Sequence, residues 1–239
     1  MTTVVPFQML GARGTSLQAA IDNVSAAGGG TIFLGGAGLA LTAGLIVKDD
    51  VTLDLDGGKL TFNLSGANDF GVRLRNRAHV RNGEIEVVSS GSPGSQAGIH
   101  APVLVGALYG DSPTTPSADE GVTGWSVRNL KLSTSGTGKV AVQIIGGANN
   151  GVVENIEVPD NAVMAGAVHL DWGTVGAINS GDIAASRTAF NAGTAYTTHP
   201  HNIAVRNIKT GALSRAKGGG TVACAAVSFS KCRTSILSA

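Results

Sequence analysis

The chain is poor in aromatic and charged residues. Phe, Trp and Tyr make up 4% of its 239 residues, and Asp, Glu, Lys and Arg make up 14%. With so few aromatics, a core must be built from aliphatic side chains, and a hydrophobic content of 43% supplies them. The formal net charge is only +1 and no basic stripe is visible, which argues against a nucleic-acid partner.

Long apolar runs and cysteine pairs are also scarce. No stretch approaches the roughly 18 apolar residues that a membrane-spanning helix needs, so we expect no membrane partner. The start, "MTTVVPFQML", lacks the basic and apolar regions of a signal peptide. Cys224 and Cys232 either pair across a turn or remain free thiols. No helical HxxxH or cysteine pairing supports a metal site, and no cofactor is expected.

Glycine, in contrast, is abundant at 35 residues. Together with many Val, Ile, Leu and Thr residues, this favours short strands joined by tight turns. One helix is predicted over residues 15–30, where Thr15 or Ser16 can cap the start and Gly28 to Gly30 end it. The apolar residues that recur there at helical spacing are Leu17, Ala20, Ile21 and Val24.

A strand-like motif recurs with a period near 25 residues. It reads "HVRNGEIEV" at 79–87, "SVRNLKLS" at 126–133, "VVENIEV" at 152–158 and "AVRNIKT" at 204–210, and "LDLDGGKL" at 53–60 fits with Gly57 in place of the asparagine. Such a period indicates one structural unit stacked on the next. We expect the asparagines to be buried at one bend, bonded to the turn backbone and to an amide of the adjacent coil where there is one. Asn129 is expected to be the neighbour of Asn155, and Asn207 to lie two coils further on, since the 52 residues between Asn155 and Asn207 are two periods. This predicted structural ladder comprises Asn82, Asn129, Asn155 and Asn207.

Residues 17–60 carry a family resemblance. The segments "LQAAIDNVSAAGGGTIFLGGAG" and "LIVKDDVTLDLDGGKL" resemble the start of pectin-lyase-like right-handed parallel β-helix proteins, which show an amphipathic capping helix, a "GGGT" strand and a "VTLDLDG" coil. The usual "GDGVTDDT" before the helix is replaced by "GARGTS". The resemblance implies an all-β fold: one parallel β-helix domain over 1–239, a solenoid of about eight coils with a capping helix at 15–30.

Two segments and the C-terminal end depart from the repeat. Residues 106–121 and 184–200 are polar or small and predict loops inserted at turns of the coil. Long loops on a rigid scaffold tend to carry function. The end, "ACAAVSFSKCRTSILSA", is apolar and strand-like with no capping helix. It is either a short irregular cap, or a surface for docking on another subunit or domain, as in a homotrimer, or the chain is a fragment.

The candidate chemistry lies in "AVHLDWG" at 167–173 and "TTHPHN" at 197–202. Members of this fold that act on polysaccharides use a groove lined by charged, His and aromatic side chains, although no enzyme subgroup signature is present. Alternation places His169 and Asp171 on one strand face. Stacking of the coils can bring His199 or His201 beside them.

A His–Asp pair suits general acid–base catalysis. A polysaccharide lyase must also neutralise a uronate carboxylate, a role for Arg187, whereas a hydrolase needs two carboxylates, for which Asp171 and Asp182 are candidates. A metal or ligand contact, or polar turn residues bonded to backbone, are the alternatives. The predicted catalytic set is His169, Asp171, His199, His201 and Arg187.

Aromatic residues are the candidate sugar contacts. Trp172 and Tyr196 are the predicted substrate-binding residues, while Trp125 and Trp172 either stack on a sugar or fill a corner of the core. We therefore expect a carbohydrate-active β-helix that binds a polysaccharide and cleaves or modifies it, as a lyase, hydrolase or epimerase. The alternatives are a phage tail-spike or virion-associated β-helix that binds surface glycan without catalysis, and a purely structural module. The location is expected to be extracellular or in a virion.

Overall fold

The computed structural model describes residues 3–6, 16–65, 70–90, 101–106, 122–136, 140–160, 166–171, 200–211 and 225–230. For 3–6, 171 and 225–230 only the backbone is described. The predicted loop at 106–121 lies outside the described residues except for Gly106, and the loop at 184–200 except for Pro200. The two cysteines, Cys224 and Cys232, also lie outside the described residues.

The described part of the chain is mostly β-strand, with one helix. The elements in chain order are β1 (Thr3–Pro6), α1 (Leu17–Ala26), β2 (Gly30–Phe33), β3 (Gly38–Leu41), β4 (Leu45–Val47), β5 (Val51–Asp54), β6 (Lys59–Leu64), β7 (Val72–Leu74), β8 (His79–Ser89), β9 (Val103–Gly106), β10 (Ser126–Ser135), β11 (Val140–Ile145), β12 (Asn149–Val158), β13 (Gly166–Asp171), β14 (His201–Thr210) and β15 (Ala225–Ser230).

The strands form two parallel sheets. Sheet A has the order β1-β2-β5-β8-β10-β12-β14, and β3 and β6 pair beside it; sheet B has the order β4-β7-β9-β11-β13-β15. From β2 onward, the chain adds one or two strands to sheet A and then one strand to sheet B. This alternation is the pattern of a parallel solenoid. The described strands make six such passes through sheet B, and the count of about eight coils stays a prediction.

The core consists of aliphatic side chains stacked coil on coil. In sheet A, the register places Leu53 beside Val80, Val80 beside Val127, and Val127 beside Val153, and all four are fully buried. Each is an alternate residue of its strand, so the strand's next side chain faces outward. Sheet B contributes an equivalent inward row of Leu74, Val105, Ile144 and Leu170.

Trp125 belongs to this core. It is 1% exposed, and its ring packs so closely on Gly151 that a Cβ at that position would overlap it. Of the two readings of Trp125, sugar platform or corner filling, the structure supports corner filling. The glycine at 151 is therefore explained by the ring that lies over it.

The helix α1 lies where the apolar spacing predicts it. The Ser16 hydroxyl accepts a hydrogen bond from the Ala19 backbone N–H at 3.2 Å, which caps the first turn. The apolar face of the helix is buried against β2 and β4. The Gln18 amide also bonds both backbone groups of Ile46, at 2.8 and 3.1 Å, on the outermost strand of sheet B. No helix in the described part of the chain is long and apolar enough to cross a membrane.

The four repeat asparagines form one hydrogen-bonded column. Asn129 Nδ2 donates to Asn82 Oδ1 at 2.9 Å, Asn155 Nδ2 to Asn129 Oδ1 at 2.8 Å, and Asn207 Nδ2 to Asn155 Oδ1 at 2.9 Å. All four have left-handed backbone, with φ between 53° and 63°. Asn is among the few residues that adopt this conformation readily. The column therefore marks the bend that divides each long strand of sheet A.

Two expectations about this column are wrong. The amides were expected to be buried, but Asn129, Asn155 and Asn207 are exposed and Asn82 is half-buried. Asn207 was expected two coils away from Asn155, but β12 and β14 pair directly and Asn207 bonds Asn155. Gly57 does have left-handed backbone, with φ of 80°, and its N–H bonds the Asn82 carbonyl at 2.7 Å, while Asn82 Nδ2 donates to the Asp54 carboxylate at 3.1 and 3.2 Å.

A second left-handed column lies at the corner where the chain passes from sheet B to sheet A. It runs two residues before the register row of Thr52, His79 and Ser126. Every member has positive φ: Gly29, Asp50, Arg77, Gly124, Asn150 and Asn202. The segments between Gly106 and Thr123 and between Asp171 and His201 both leave and rejoin the sheets at this corner.

Replacing Asn155 by Leu is expected to lower the free energy of unfolding by about 1–3 kcal/mol, because Leu is strained at this φ and two ladder hydrogen bonds are lost. Asn155→Gly removes the same amide but adopts the left-handed backbone without strain, so it should cost less. Urea unfolding of both variants against the parent measures the difference. A Leu variant as stable as the Gly variant contradicts the backbone explanation.

Candidate functional site

The structure separates the predicted histidines between the two sheets. His169 lies in the middle of β13 in sheet B, and alternation places Val168 and Leu170 in the core while His169 faces outward, half-buried. His201 is the first residue of β14 in sheet A, paired with Asn149. Asp171 is the last residue of β13 and pairs with Ile145. Its backbone therefore lies where the chain leaves sheet B, at the corner where β14 starts with His201. The side chain of Asp171 is not described.

The remaining predicted site residues lie outside the described part of the chain. These are His199 and Arg187 of the catalytic set, the alternative carboxylate Asp182, and the substrate contacts Trp172 and Tyr196. The convergence of His169, Asp171, His199 and His201 on one groove therefore stays a prediction. In the described residues, no group of three or more His, Cys, Asp or Glu side chains is placed to hold a metal ion.

The row that contains His169 includes an unusual buried amide. Register places His169 next to Gln143, and Gln143 next to Leu104. Gln143 is fully buried, and neither its Nε2 nor its Oε1 has a hydrogen-bond partner among the residues that the structure describes. A buried polar group without a partner lowers stability. The buried amide of Gln143 therefore lowers the free energy of unfolding, and it does so in the outward layer of sheet B.

A polar cleft of about 300 Å³ opens at the corner column, at the start of sheet A. The glycines that follow α1 form one wall, β5 contributes a second, and the start of β8 a third. No aliphatic or aromatic side chain is among the described residues that line it. The lining residues are Gly28, Gly29, Gly30, Thr31, Asp50, Thr52, Arg77 and His79.

Asp50 and Arg77 form a two-point ion pair in this cleft. Arg77 Nε donates to Asp50 Oδ1 at 2.6 Å, and Arg77 Nη2 donates to Asp50 Oδ2 at 2.8 Å. The hydrogen bond from Arg77 lowers the pKa of Asp50, and the bond to Asp50 raises the pKa of Arg77. Both residues have positive φ, 63° and 51°, because they stand on successive coils of the corner column. The pair therefore presents fixed donors and acceptors to the cleft.

His79 lies between the cleft and the outward face of sheet A. Its Nδ1 is 2.8 Å from Ser126 Oγ. Burial, followed by the positive charges of Arg128 and Arg81, lowers the pKa of His79, and the Asp50 charge acts weakly in the opposite direction. The imidazole is therefore neutral at neutral pH, and its Nδ1 is held by Ser126.

A row of charged side chains continues from His79 along sheet A. Arg81 Nε bonds Asp54 Oδ2 at 2.8 Å, and Arg206 Nε lies 2.8 Å from Glu154 Oε1. Arg128 lies between these pairs, with its Nη1 3.6 Å from Glu154 Oε2. This row is hidden in the sequence because its members belong to the repeat, where "VRN" looks like a structural signature. The signal that would have found it is the arginine that precedes the ladder asparagine at 81, 128 and 206.

Comparisons of the chain with protein-family models, with curated proteins and with solved structures find no match.

Gln143→Met is expected to raise the free energy of unfolding by about 1–3 kcal/mol, because the variant removes an unpaired buried amide while keeping its length. The matched control is Gln18→Met, which removes an amide that bonds both backbone groups of Ile46 and should destabilise the protein. Urea unfolding of both variants gives the two signs. A Gln143→Met variant that loses stability as Gln18→Met does would show that the Gln143 amide has partners in solution.

Proposed function

We propose that this protein binds a polysaccharide along the outward face of sheet A, with the corner cleft as the subsite for a sugar unit. The observation that carries the proposal is the composition of the cleft wall. Two threonine hydroxyls, one carboxylate, one guanidinium and one imidazole surround about 300 Å³ of open space. That volume is at the lower end of small-molecule pockets, and the wall offers hydrogen bonds rather than apolar contact.

The Asp50–Arg77 pair supports a neutral, hydroxyl-rich ligand in the cleft itself. Because the two charges neutralise each other, the pair attracts no strong counter-ion. It still leaves carboxylate lone pairs and guanidinium N–H groups that can bond vicinal hydroxyls. Thr31 and Thr52 lie on neighbouring strands in register and add two hydroxyls. A sugar ring, which exposes donors and acceptors around its edge, fits this set.

The handedness and length of the solenoid are part of the same proposal. We take the solenoid to be a right-handed β-helix of the pectin-lyase-like type with about eight coils, and α1 to be its N-terminal cap. Support comes from the two parallel sheets and from Gln18, which satisfies the backbone of the outermost strand of sheet B. An extended parallel sheet presents the long, regular surface that a polymer needs.

Cleavage or modification of the polysaccharide is a second candidate function, favoured by the lowered pKa of His79. A neutral imidazole can accept the proton α to a uronate carboxylate while the glycosidic oxygen departs, which leaves an unsaturated end. The predicted set of His169, Asp171, His199, His201 and Arg187 is the competing location for the same chemistry. Trp172 and Tyr196 remain proposed sugar contacts.

The alternative without catalysis is a virion-associated or tail-spike β-helix that binds surface glycan. It is compatible with the Asp50–Arg77 ion pair of the cleft, because binding needs fixed donors and acceptors rather than a free acid. A homotrimer, or docking through the C-terminal end, and an extracellular or virion location go with this alternative. Native mass spectrometry tests it, and a strict monomer counts against it.

The double variant Thr31→Val/Thr52→Val is expected to weaken polysaccharide binding about tenfold, because it removes two hydroxyls without changing side-chain volume greatly. Thr61→Val, which alters a half-buried threonine of β6 outside the cleft, is the control. Affinity electrophoresis against a panel of acidic and neutral polysaccharides measures binding. No binding by the parent to any of them overturns the proposal.

The same incubations separate binding from catalysis. Ultraviolet absorbance detects unsaturated ends, and a reducing-sugar assay detects hydrolysis. Products that disappear in His79→Ala support catalysis at the cleft, whereas products that disappear only in His169→Ala place the chemistry on sheet B. Binding without any product supports the non-catalytic alternative.

A further inference from the structure

The outward face of sheet A contains two like charges that stand directly opposite each other. The register pairs Arg81 of β8 with Arg128 of β10. Neighbouring strands are about 4.8 Å apart, and like charges directly opposite each other on a sheet are destabilising. A second charged row of this sheet avoids the arrangement, because its residues alternate in sign from strand to strand: Lys59, Glu84, Lys131, Glu157 and Lys209.

The carboxylates nearby do not neutralise both arginines. Asp54 is engaged by Arg81 at 2.8 Å, and Glu154 is engaged by Arg206 at 2.8 Å. Arg128 has only the 3.6 Å approach to Glu154, which is too long for a hydrogen bond. Its Nε is shielded from solvent and has no hydrogen-bond partner in the described part of the chain. One positive charge of the row, that of Arg128, is therefore left without its own carboxylate.

The two arginines form a patch of four residues together with His79 and Ser126. Alternation puts His79 and Arg81 on the same side of β8, and Ser126 and Arg128 on the same side of β10. The contact between His79 Nδ1 and Ser126 Oγ forms the edge of the patch that faces the corner column. His79 also borders the cleft, so the patch is continuous with it.

We propose that His79, Arg81, Ser126 and Arg128 form a binding site for an oxyanion: a carboxylate, a sulfate or a phosphate group. Such a group accepts hydrogen bonds from the free donors of Arg128 and relieves the repulsion between the two guanidinium groups. The identity of the natural ligand rests on the proposed function. That ligand is an acidic polysaccharide whose charged substituent lies in this site while a neighbouring ring occupies the cleft.

The groups that face His79 set the direction of a pH effect. Arg128 and Arg81 carry positive charge near it, Asp50 carries negative charge, and Arg77 lines the same cleft and is paired with Asp50. A bound anion offsets the unmatched positive charge of Arg128, which lies near His79, and so favours the protonated imidazole. Binding should therefore raise the pKa of His79 and should strengthen as the pH falls through it.

Isothermal titration of the full chain with sodium sulfate and with sodium phosphate at low ionic strength tests the site without any glycan. Saturable binding of either anion is expected, about tenfold weaker in Arg128→Gln. Lys131→Gln, which removes the same charge from the same strand, should change the affinity by less than about twofold, because this lysine is outside the patch and pairs with Glu84. Glu154→Gln, which removes the competing carboxylate, should strengthen binding.

The outcomes separate the site from the proposed function. Equal losses in Arg128→Gln and Lys131→Gln, no saturable binding of either anion, or an unchanged His79 proton resonance titration with sulfate present each overturn the site. Titration with a uronate oligosaccharide and with a sulfated one identifies the source of the anion. Retained sulfate binding with no binding of any polysaccharide leaves the site standing and rejects the proposed function.

Discussion

A chain that stacks parallel strands coil on coil must turn at the same place in every coil, and here it turns in the left-handed region of the backbone. Each corner position then repeats its φ in the next coil, so the residue types allowed there are restricted all along the stack. The bend within sheet A uses asparagine at 82, 129, 155 and 207. A stacked amide offers both donor and acceptor, so the residue that tolerates the turn also bonds its equivalent in the next coil.

The same stacking governs the outward charges. In a parallel register a residue meets its own equivalent on the next coil, so an identical repeat would place like charge on like charge. The lysine and glutamate row avoids this by alternating sign. The arginine row does not, because Arg81 meets Arg128. Because the lysine and glutamate row avoids like-charge pairs, the pairing of Arg81 with Arg128 stands out and supports the proposed anion site.

Much of the scaffold could be predicted from the sequence, but exposure at the bend could not. Spacing identified α1 and the asparagine column, because both depend on periodicity alone. Strict alternation from Val153 would point Asn155 inward. The left-handed backbone at Asn155 interrupts that alternation, so its amide faces solvent and Ile156 returns to the core. A single sequence shows the period without showing where the alternation breaks.

The candidate site was harder to predict, because its polar side chains occupy positions of the structural repeat. The histidines that do not repeat, His169 and His201, attract attention in the sequence, but the fold places them in different sheets. The cleft and the arginine patch instead use repeat positions whose individual occupants vary: Thr52, His79 and Ser126 share one row, and Asp54, Arg81 and Arg128 share the next. Function in a solenoid can therefore come from variation within a row. The corner that carries the cleft in the first coils is also the corner where the chain leaves the sheets after Gly106 and after Asp171. A polymer that lies along this corner would pass the cleft, the patch and both departure points in one direction.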